Sequence, residues 1–298
     1  MTSVVCLGIA VQDMVFAVDA LPSGGGKLIA ADLAEVGGGC AANAAATVAK
    51  LGGRAVLLTR LGDDRTGDAI VADLAALGVD MAGTLRAPGR HSPLSAVLVD
   101  RTGERLVVNH ADPDMPEATD WLRPERLDGA HAVLVDQRWP DGAATLLQAA
   151  RGRGIPTVLD ADRAGVDPRL VTLASHVVFS ADGLRAHAGA EDLGEALVET
   201  AETTPAFLAV TDGPQGVLWL EQGAVRHLPA FAVQAVDTLG AGDVFHGAFA
   251  LALGEGQAVP AALRFASATA ALKCTRFGGR AGIPDRAAVD AFLEEHKA

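Results

Sequence analysis

The sequence contains no tyrosine, and aromatic residues make up only 4% of its 298 residues. Proteins that bind single-stranded nucleic acid stack the bases on aromatic side chains, so this scarcity argues against such a function. Lysine and arginine number 24 against 37 acidic residues, which gives a formal net charge of −13. A chain with this charge lacks the basic surface that binds a phosphate backbone. We therefore expect no nucleic-acid partner.

Long hydrophobic runs and paired cysteines are missing as well. The longest apolar stretches, near residues 41–49 and 243–253, are interrupted by polar groups and are shorter than the roughly 20 residues of a bilayer span. The first ten residues lack the basic region of a secretory signal. Cys6, Cys40 and Cys274 form no CxxC pair, so neither a disulfide framework nor a zinc site is indicated. We expect a cytoplasmic protein with no membrane partner.

Short apolar runs typical of buried strands alternate with longer helical stretches. Strands are predicted at residues 4–8, 55–59, 132–136, 157–160, 176–180 and 207–211, and helices at 66–77, 142–151, 193–200, 243–253, 260–271 and 286–296. This alternation predicts an α/β fold in which a doubly wound, mostly parallel sheet carries helices on both faces. No linker interrupts the chain, so we expect one domain over residues 1–298. Ligands of such sheets bind beyond the carboxyl ends of the strands.

Two segments alternate apolar with polar residues, as half-exposed antiparallel strands do. They lie within approximately residues 14–36 and 88–112, and the second contains a hairpin with a turn at Thr102 and Gly103. We predict that both segments join in one small sheet inserted in the domain. That sheet could be a lid over the site or the interface of a homodimer, and the sequence leaves both interpretations open.

The most informative motif covers residues 236–248, where Gly240, Ala241 and Gly242 lead into an apolar helical run. Backbone amides at a helix N-terminus have no intrahelical partner, and with the helix dipole they form a pocket for an anion. Asp243 follows directly and could both cap the helix and reach a hydroxyl beside a bound phosphate. If the glycine-rich turn stood alone, an ordinary N-cap aspartate would explain it, but the motif extends over residues 236–248.

A second motif covers residues 35–46, where three glycines precede an alanine-rich helix that contains Asn43. Small residues permit close approach of a ligand, and an amide side chain offers both a donor and an acceptor to vicinal hydroxyls. A tightly packed helix start explains this segment equally well when it is taken alone.

Together the two segments resemble the two signature motifs of the pfkB, or ribokinase-like, carbohydrate kinase family. The likeness extends over nearly the whole chain, through residues 8–13, 62–67, 211–216 and 275–284. It implies a ribokinase-like α/β fold with a β-sheet lid and transfer of the ATP γ-phosphoryl group to a hydroxyl of a sugar or nucleoside. The scarcity of aromatic residues to stack a base makes a nucleoside the weaker alternative.

The resemblance also implies a role for each matching residue. Asp243 falls on the catalytic base and Gly240, Ala241 and Gly242 on the anion hole, which we define as the amides at the start of that helix. The sugar-binding positions are Asp13, Gly38, Gly39 and Asn43, and the nucleotide-binding positions are Ser180, Thr211, Gly213 and Gly216. Asp237 and Leu239, with the carbonyl groups of residues 273–282, fall where many members hold K⁺.

One element departs from the family pattern. The family's Asn-x-x-Glu is here Ser180-Ala181-Asp182-Gly183, so the glutamate linked to magnesium is missing. We expect Mg²⁺ to be carried mainly by the nucleotide. This departure also keeps open a second class of function, a regulator that binds sugar or nucleotide without catalysis.

Three polar residues suggest the acceptor. Lys27, Asn109 and Arg138 are expected to face the sugar, and an ammonium, an amide and a guanidinium together suit an anion. The surrounding segments resemble those of the bacterial 6-deoxy-6-sulfofructose kinases within the family, in which these positions would hold the sulfonate and place the C1 hydroxyl at Asp243. The alternative is a fructokinase or ribokinase that acts on a neutral sugar.

Overall fold

The fold was analysed in a computed structural model that describes residues 1–297. The strands are β1 (Ser3–Leu7), β2 (Val11–Ala17), β3 (Asp32–Gly38), β4 (Arg54–Leu58), β5 (Arg60–Gly62), β6 (Leu85–Ala87), β7 (Leu94–Val99), β8 (Arg105–His110), β9 (Ala132–Asp136), β10 (Thr157–Ala161), β11 (His176–Ser180), β12 (Phe207–Thr211), β13 (Val217–Glu221) and β14 (Ala224–Leu228). The α-helices are α1 (Cys40–Lys50), α2 (Arg65–Ala76), α3 (Pro140–Gly152), α4 (Pro168–Leu173), α5 (Ala181–Ala188), α6 (Leu193–Ala201), α7 (Ala241–Gly254), α8 (Val259–Cys274) and α9 (Arg286–Glu295).

The main sheet has the strand order β14-β13-β12-β11-β10-β9-β1-β4. The six strands from β12 to β4 are parallel, whereas β13 and β14 extend the sheet in antiparallel fashion. The prediction of a mostly parallel sheet is therefore confirmed. Strands β9, β11 and β12 have the predicted bounds, because each is a short apolar run ended by a polar residue or a turn.

Alternate side chains of the parallel strands enter two separate hydrophobic layers, one on each face of the sheet. Cys6 and Leu134 lie in the layer that also contains buried residues of α1, α7 and α8. Leu7 and Val135 lie in the layer that contains buried residues of α3, α4 and α6. Helices thus cover both faces, as predicted for a doubly wound sheet. In residues 1–297 no helix is long and apolar enough to cross a membrane.

Besides the short strands β5 and β6, four elements are not predicted from the sequence. Helix α4 has only six residues, too few to show a helical period, and α5 directly follows β11 with no intervening loop. Strands β13 and β14 form a hairpin whose turn contains Gly223 in a left-handed conformation, and β14 is largely exposed. An exposed edge strand carries little of the apolar signal by which buried strands are found.

The two alternating segments do join in one small sheet, with the order β3-β2-β7-β8. The predicted turn is present, since Asp100 accepts a hydrogen bond from the Thr102 amide at 2.8 Å and Gly103 has a φ of 85°. The expectation that all its strands are antiparallel is wrong, because β2 and β7 pair in parallel. These two strands are distant in sequence, so no tight turn dictates their direction. The role of this small sheet as a lid stays a prediction.

The strand order of the main sheet reverses between β1 and β9, and the crevice at such a reversal is the expected ligand site. Asp136 at the end of β9 is fully buried there. Its Oδ2 accepts hydrogen bonds from the amides of Ile9 at 2.8 Å and Ala41 at 3.3 Å. This one carboxylate therefore ties the ends of two strands to the start of α1.

Helices α1 and α7 cross close to this crevice. A Cβ atom added at Gly247 would lie 2.5 Å from the carbonyl oxygen of Ala44, so only a glycine permits this approach. The close crossing brings the first turns of the two helices together. It thereby places Asn43 of α1 beside Asp243 of α7.

We predict that Gly247→Ala destabilises the protein by roughly 1–3 kcal/mol, because the added methyl group forces α1 and α7 apart. Gly152→Ala is a matched control at another helical glycine, where an added Cβ would meet no atom within 4 Å. That control should be neutral or more stable by up to about 1 kcal/mol. Urea unfolding measures both, and equal midpoints for the two variants would contradict the close crossing.

Candidate active site

The Asp243 carboxylate lies in the first turn of α7 and is held by Asn43. The Asn43 side-chain nitrogen Nδ2 donates a hydrogen bond to Asp243 Oδ2 at 2.7 Å. Burial raises the pKa of the Asp243 carboxyl above its ordinary value, and the hydrogen bond from Asn43 offsets part of that rise. The carboxylate is therefore a stronger base than an exposed aspartate.

The anion hole beside Asp243 is built on a left-handed residue. Gly240 has a φ of 73° and precedes α7, which has no side-chain cap at its N-terminus. The predicted group of amides needs one correction, because the Ala241 amide donates to the Thr238 carbonyl at 3.2 Å. The amides of Gly242 and Asp243 remain the donors of the first helical turn that an anion can use.

Arg280 holds Asn43 in place, a role of its side chain that is not predicted from the sequence. Its Nε donates to Asn43 Oδ1 at 2.8 Å, one terminal nitrogen donates to the Gly38 carbonyl at 2.7 Å, and the other to Asp73 at 2.6 Å. The side chain is only 6% exposed. It fixes which end of the Asn43 amide faces Asp243, because Nε–H can bond only to the oxygen end.

Asp13 and Gly38 of the predicted sugar site lie against each other. A Cβ atom at Gly38 would lie 2.2 Å from Asp13 Oδ2, so the glycine gives room to that carboxylate. Burial raises the pKa of Asp13, partly offset by a hydrogen bond with Ser95 and by the charge of Arg280. Gly39 has a φ of 95° and packs against the Ile9 carbonyl, so the backbone alone accounts for this glycine.

The three residues expected to face the sugar lie in different surroundings. Arg138 makes two hydrogen bonds to the Asp162 carboxylate, at 2.7 and 2.6 Å. Its charge is therefore paired without any anionic ligand. Asn109 is exposed on β8 and donates to Ser95 Oγ at 3.0 Å. Lys27 lies exposed in the loop between β2 and β3.

The predicted nucleotide-binding residues lie at or just after the ends of β11 and β12, two neighbouring strands of the main sheet. Ser180 caps α5 by accepting a hydrogen bond from the Gly183 amide at 3.0 Å, and its hydroxyl donates to the Asp162 carbonyl at 2.8 Å. Thr211 ends β12, and Gly213 and Gly216 bound the turn that follows, with φ values of 48° and 98°.

Asp237 and Leu239, the predicted cation ligands, lie directly before the anion hole. Asp237 Oδ1 accepts a hydrogen bond from the Leu239 amide at 2.9 Å. Its Oδ2 accepts from the amides of Gly278 and Gly279, each at 3.2 Å. The Asp237 carboxylate thus ties the loop before α7 to the segment after α8.

A buried acidic group next to Asp243 is not predicted from the sequence. Asp160 is fully buried, and neither of its carboxylate oxygens has a hydrogen-bond partner. Burial raises its pKa well above the usual range, and the charges of Asp162 and Asp243 add to that rise. His246 Nδ1 lies 3.4 Å from Asp160 Oδ2, and burial lowers the pKa of this histidine. Because Asp160 belongs to a strand, its position beside Asp243 has no signal in the local sequence.

Comparison with known proteins places these features in a family. The pfkB family of carbohydrate kinases matches residues 1–286. The chain is 34% identical to the ATP-dependent ribose-1-phosphate kinase of Halopiger xanaduensis, over 99% of each chain. It is 41% identical to a crystal structure from Agrobacterium tumefaciens whose ribokinase assignment is provisional, with a TM-score of 0.94 over 99% of this chain and 98% of the other. The Arabidopsis thaliana ribokinase in complex with ribose and ATP is 26% identical, with a TM-score of 0.88 over 98% of each chain.

The chain belongs to the pfkB family of carbohydrate kinases. Its fold is the ribokinase-like α/β fold predicted from the sequence. It is a phosphotransferase with an alcohol group as acceptor, of the ribokinase and fructokinase type.

We predict that Arg280→Met destabilises the protein by roughly 2–4 kcal/mol, because it leaves the Gly38 carbonyl and the Asn43 amide oxygen without their donor. Arg169→Met is the control, since this arginine is likewise held by hydrogen bonds, to the carboxylates of Asp141 and Asp167, but is exposed. It should leave the urea midpoint of unfolding nearly unchanged. A similar small effect of both substitutions would show that Arg280 does not organise the site.

Proposed function

We propose that this kinase transfers the γ-phosphoryl group of ATP to a sugar hydroxyl that is deprotonated by Asp243. The observation that carries the proposal is the first turn of α7. It presents a partly buried carboxylate and two free backbone amides at the same point. A base and an anion hole in that relation are what phosphoryl transfer requires of a protein, because the reaction depends on positioning and charge stabilisation.

Asp243 would accept the proton of the attacking hydroxyl as the oxygen approaches phosphorus. Its raised pKa suits a general base, and Asn43 fixes the carboxylate so that one oxygen is directed away from the amide. The amides of Gly242 and Asp243 would bind the oxygens of the transferred phosphoryl group. They are held in place before the reaction begins, so no reorganisation is needed as charge develops.

ATP as the donor is supported by the relatives, of which one is named ATP-dependent and another is in complex with ATP. Ser180, Thr211, Gly213 and Gly216 are proposed to bind the nucleotide, because they follow adjacent strands at the carboxyl edge of the sheet. The left-handed conformations at both glycines shape a turn whose backbone a phosphate could approach closely.

The fit of the chain to Mg²⁺ can be tested on its potential ligands. Within residues 1–297 the side chains of Cys40, Asp160 and Asp243 form one group with metal-ligand spacing. Mg²⁺ prefers oxygen ligands in octahedral geometry, and a thiol does not suit it. The side chain of Asp182, the acidic residue one position before that of the missing glutamate, is 98% exposed. Residues 1–297 therefore do not fit a magnesium site of the protein's own, and we propose that Mg²⁺ enters with the nucleotide.

We expect Asp243→Asn to lower kcat by about 10²–10⁴-fold, because asparagine keeps the shape of the side chain but cannot accept the proton. An assay of ADP release with a panel of sugars measures the effect. Asp182→Asn is the control, because this exposed aspartate lies on α5. Turnover of Asp243→Asn near that of the wild type would remove Asp243 from the role of base.

The acceptor is proposed to be a ketose that is phosphorylated on its C1 hydroxyl, and 6-deoxy-6-sulfofructose is the specific candidate. Its support is the resemblance of the segments around Lys27, Asn109 and Arg138. Arg138 also lines a cavity of about 230 Å³ at the crevice between β1 and β9. A guanidinium has five N–H donors; Arg138 uses two of them on Asp162 and one on Cys40 Sγ at 3.8 Å, which leaves two for an anion.

A neutral sugar such as fructose or ribose is the alternative acceptor. The pairing of Arg138 with Asp162 favours it, because that pair is already close to electroneutral without a ligand. On the other side, one relative is named a ribose-1-phosphate kinase, and the acceptor in that name is an anion. The two alternatives therefore differ in what Arg138 contributes.

For an anionic acceptor we predict that Arg138→Ala lowers kcat/KM for 6-deoxy-6-sulfofructose by roughly 10- to 100-fold and leaves kcat/KM for fructose nearly unchanged. Arg163→Ala is the matched control, because this exposed arginine is next to Asp162 in the chain. Thermal unfolding of each variant separates loss of binding from loss of stability. If fructose or ribose is used as well as sulfofructose and Arg138→Ala changes neither, the anionic acceptor is wrong.

The small sheet is proposed to close over the sugar. Two of its strands reach the site, since β2 carries Asp13 and a terminal nitrogen of Arg105 on β8 lies 3.3 Å from Asp237 Oδ1. The neighbouring side chains of Leu106, Val107 and Val108 are exposed. An exposed apolar patch of this kind supports the expectation of a homodimer through this small sheet.

A further inference from the structure

Lys273 lies at the end of α8 and is completely buried. A buried ammonium is costly unless it is paired and hydrogen-bonded. Its Nζ donates to the main-chain oxygen of Asp237 at 2.9 Å and lies 3.3 Å from the same residue's Oδ2. One residue, the aspartate that begins the loop before α7, therefore supplies both of these oxygens.

Asp237 is one of the residues that the family resemblance assigns to K⁺, together with Leu239 and the carbonyl groups of residues 273–282. An alkali cation in a protein needs several oxygen ligands to replace its water shell. Two carbonyl oxygens at the start of residues 273–282 are engaged as well: the Cys274 carbonyl accepts hydrogen bonds from the amides of Val236 at 2.7 Å and Asp237 at 3.1 Å, and the Lys273 carbonyl accepts one from the Arg276 amide at 3.1 Å. The residues present do not fit a bound K⁺.

We propose that the Lys273 ammonium permanently takes the place of the monovalent cation, so that this kinase is active without one. An ammonium is a compact unit charge with three donors, which suits a cluster of carbonyl and carboxylate oxygens. The inference rests on the proposed function only for its activity measurement.

The charge of Lys273 acts on the anion hole through Asp237. Burial by itself would raise the pKa of the Asp237 carboxyl, but the amides of Leu239 and Gly279 and the Lys273 ammonium hold it below its usual value. The carboxylate in turn fixes the Leu239 amide, one residue before Gly240. Arg105 adds a second cation. Its terminal nitrogen lies 3.3 Å from Asp237 Oδ1, and its side chain is partly exposed. Lys273 is thus a positioning residue and does not touch the substrates.

The test compares the full-length protein in KCl and in tetramethylammonium chloride at equal ionic strength. The wild type should have the same kcat within about twofold and the same Tm in both salts. Lys273→Ala removes the charge and leaves space, so its kcat should fall by roughly tenfold or more in tetramethylammonium and recover in KCl. Lys273→Met is the matched control, because it fills the space without a charge and should not recover in either salt.

The Tm provides a measurement that does not need a substrate. KCl should raise the Tm of Lys273→Ala relative to tetramethylammonium and leave that of the wild type unchanged. If no sugar is phosphorylated, the proposed function fails while this shift in Tm still tests the site.

Activation of the wild type by K⁺ of tenfold or more would overturn the inference. So would a folded Lys273→Ala variant whose activity and Tm match those of the wild type in tetramethylammonium chloride. If neither variant folds, the salt comparison on the wild type decides.

Discussion

A chain of hydrogen bonds, buried at its centre and partly buried at both ends, runs from Asp73 through Arg280 and Asn43 to Asp243 and holds the candidate site together. Each member fixes the next, because the guanidinium selects the oxygen end of the Asn43 amide and leaves its nitrogen end for Asp243. A carboxylate positioned in this way has one defined orientation before any substrate binds. Preorganisation of this kind is what lets a base and an anion hole act on the same reacting group.

Small residues make this chain of bonds possible. Ala41, Ala44 and Ala45 of α1 are completely buried, and Gly247 of α7 lies against the Ala44 backbone. Larger side chains would separate the two helices, and Asn43 could then no longer reach Asp243. The abundance of alanine and glycine therefore serves the geometry of the site, although it buries less apolar area per residue than leucine or phenylalanine would.

The sequence predicts the regular part of this fold well, because a buried strand such as β9 or β12 is a short apolar run between polar residues. Asp243 and its loop are also predictable, since the helix start is encoded in consecutive residues. Arg280 and Lys273 are different. Their sequence neighbourhoods resemble those of ordinary surface residues, and only the packing of distant segments shows that both are buried. The parallel pairing of β2 with β7 escaped prediction for the same reason, as did the partner of Arg138, the Asp162 carboxylate.

The long sequence separation within the site has a consequence for synthesis of the protein. Asn43 and Arg280 are 237 positions apart, and Asn43 and Asp243 are 200 apart. During translation the parallel strands up to β12 can pair while α8 and the segment after it are still within the ribosome. The hydrogen bonds of the Arg280 guanidinium can form only at the end, when nearly the whole chain has emerged. A nascent chain can therefore pass through a stage with a largely formed sheet and no assembled site. A chain that ends just before residue 280 contains every strand and the helices α1 to α8 but lacks this connection.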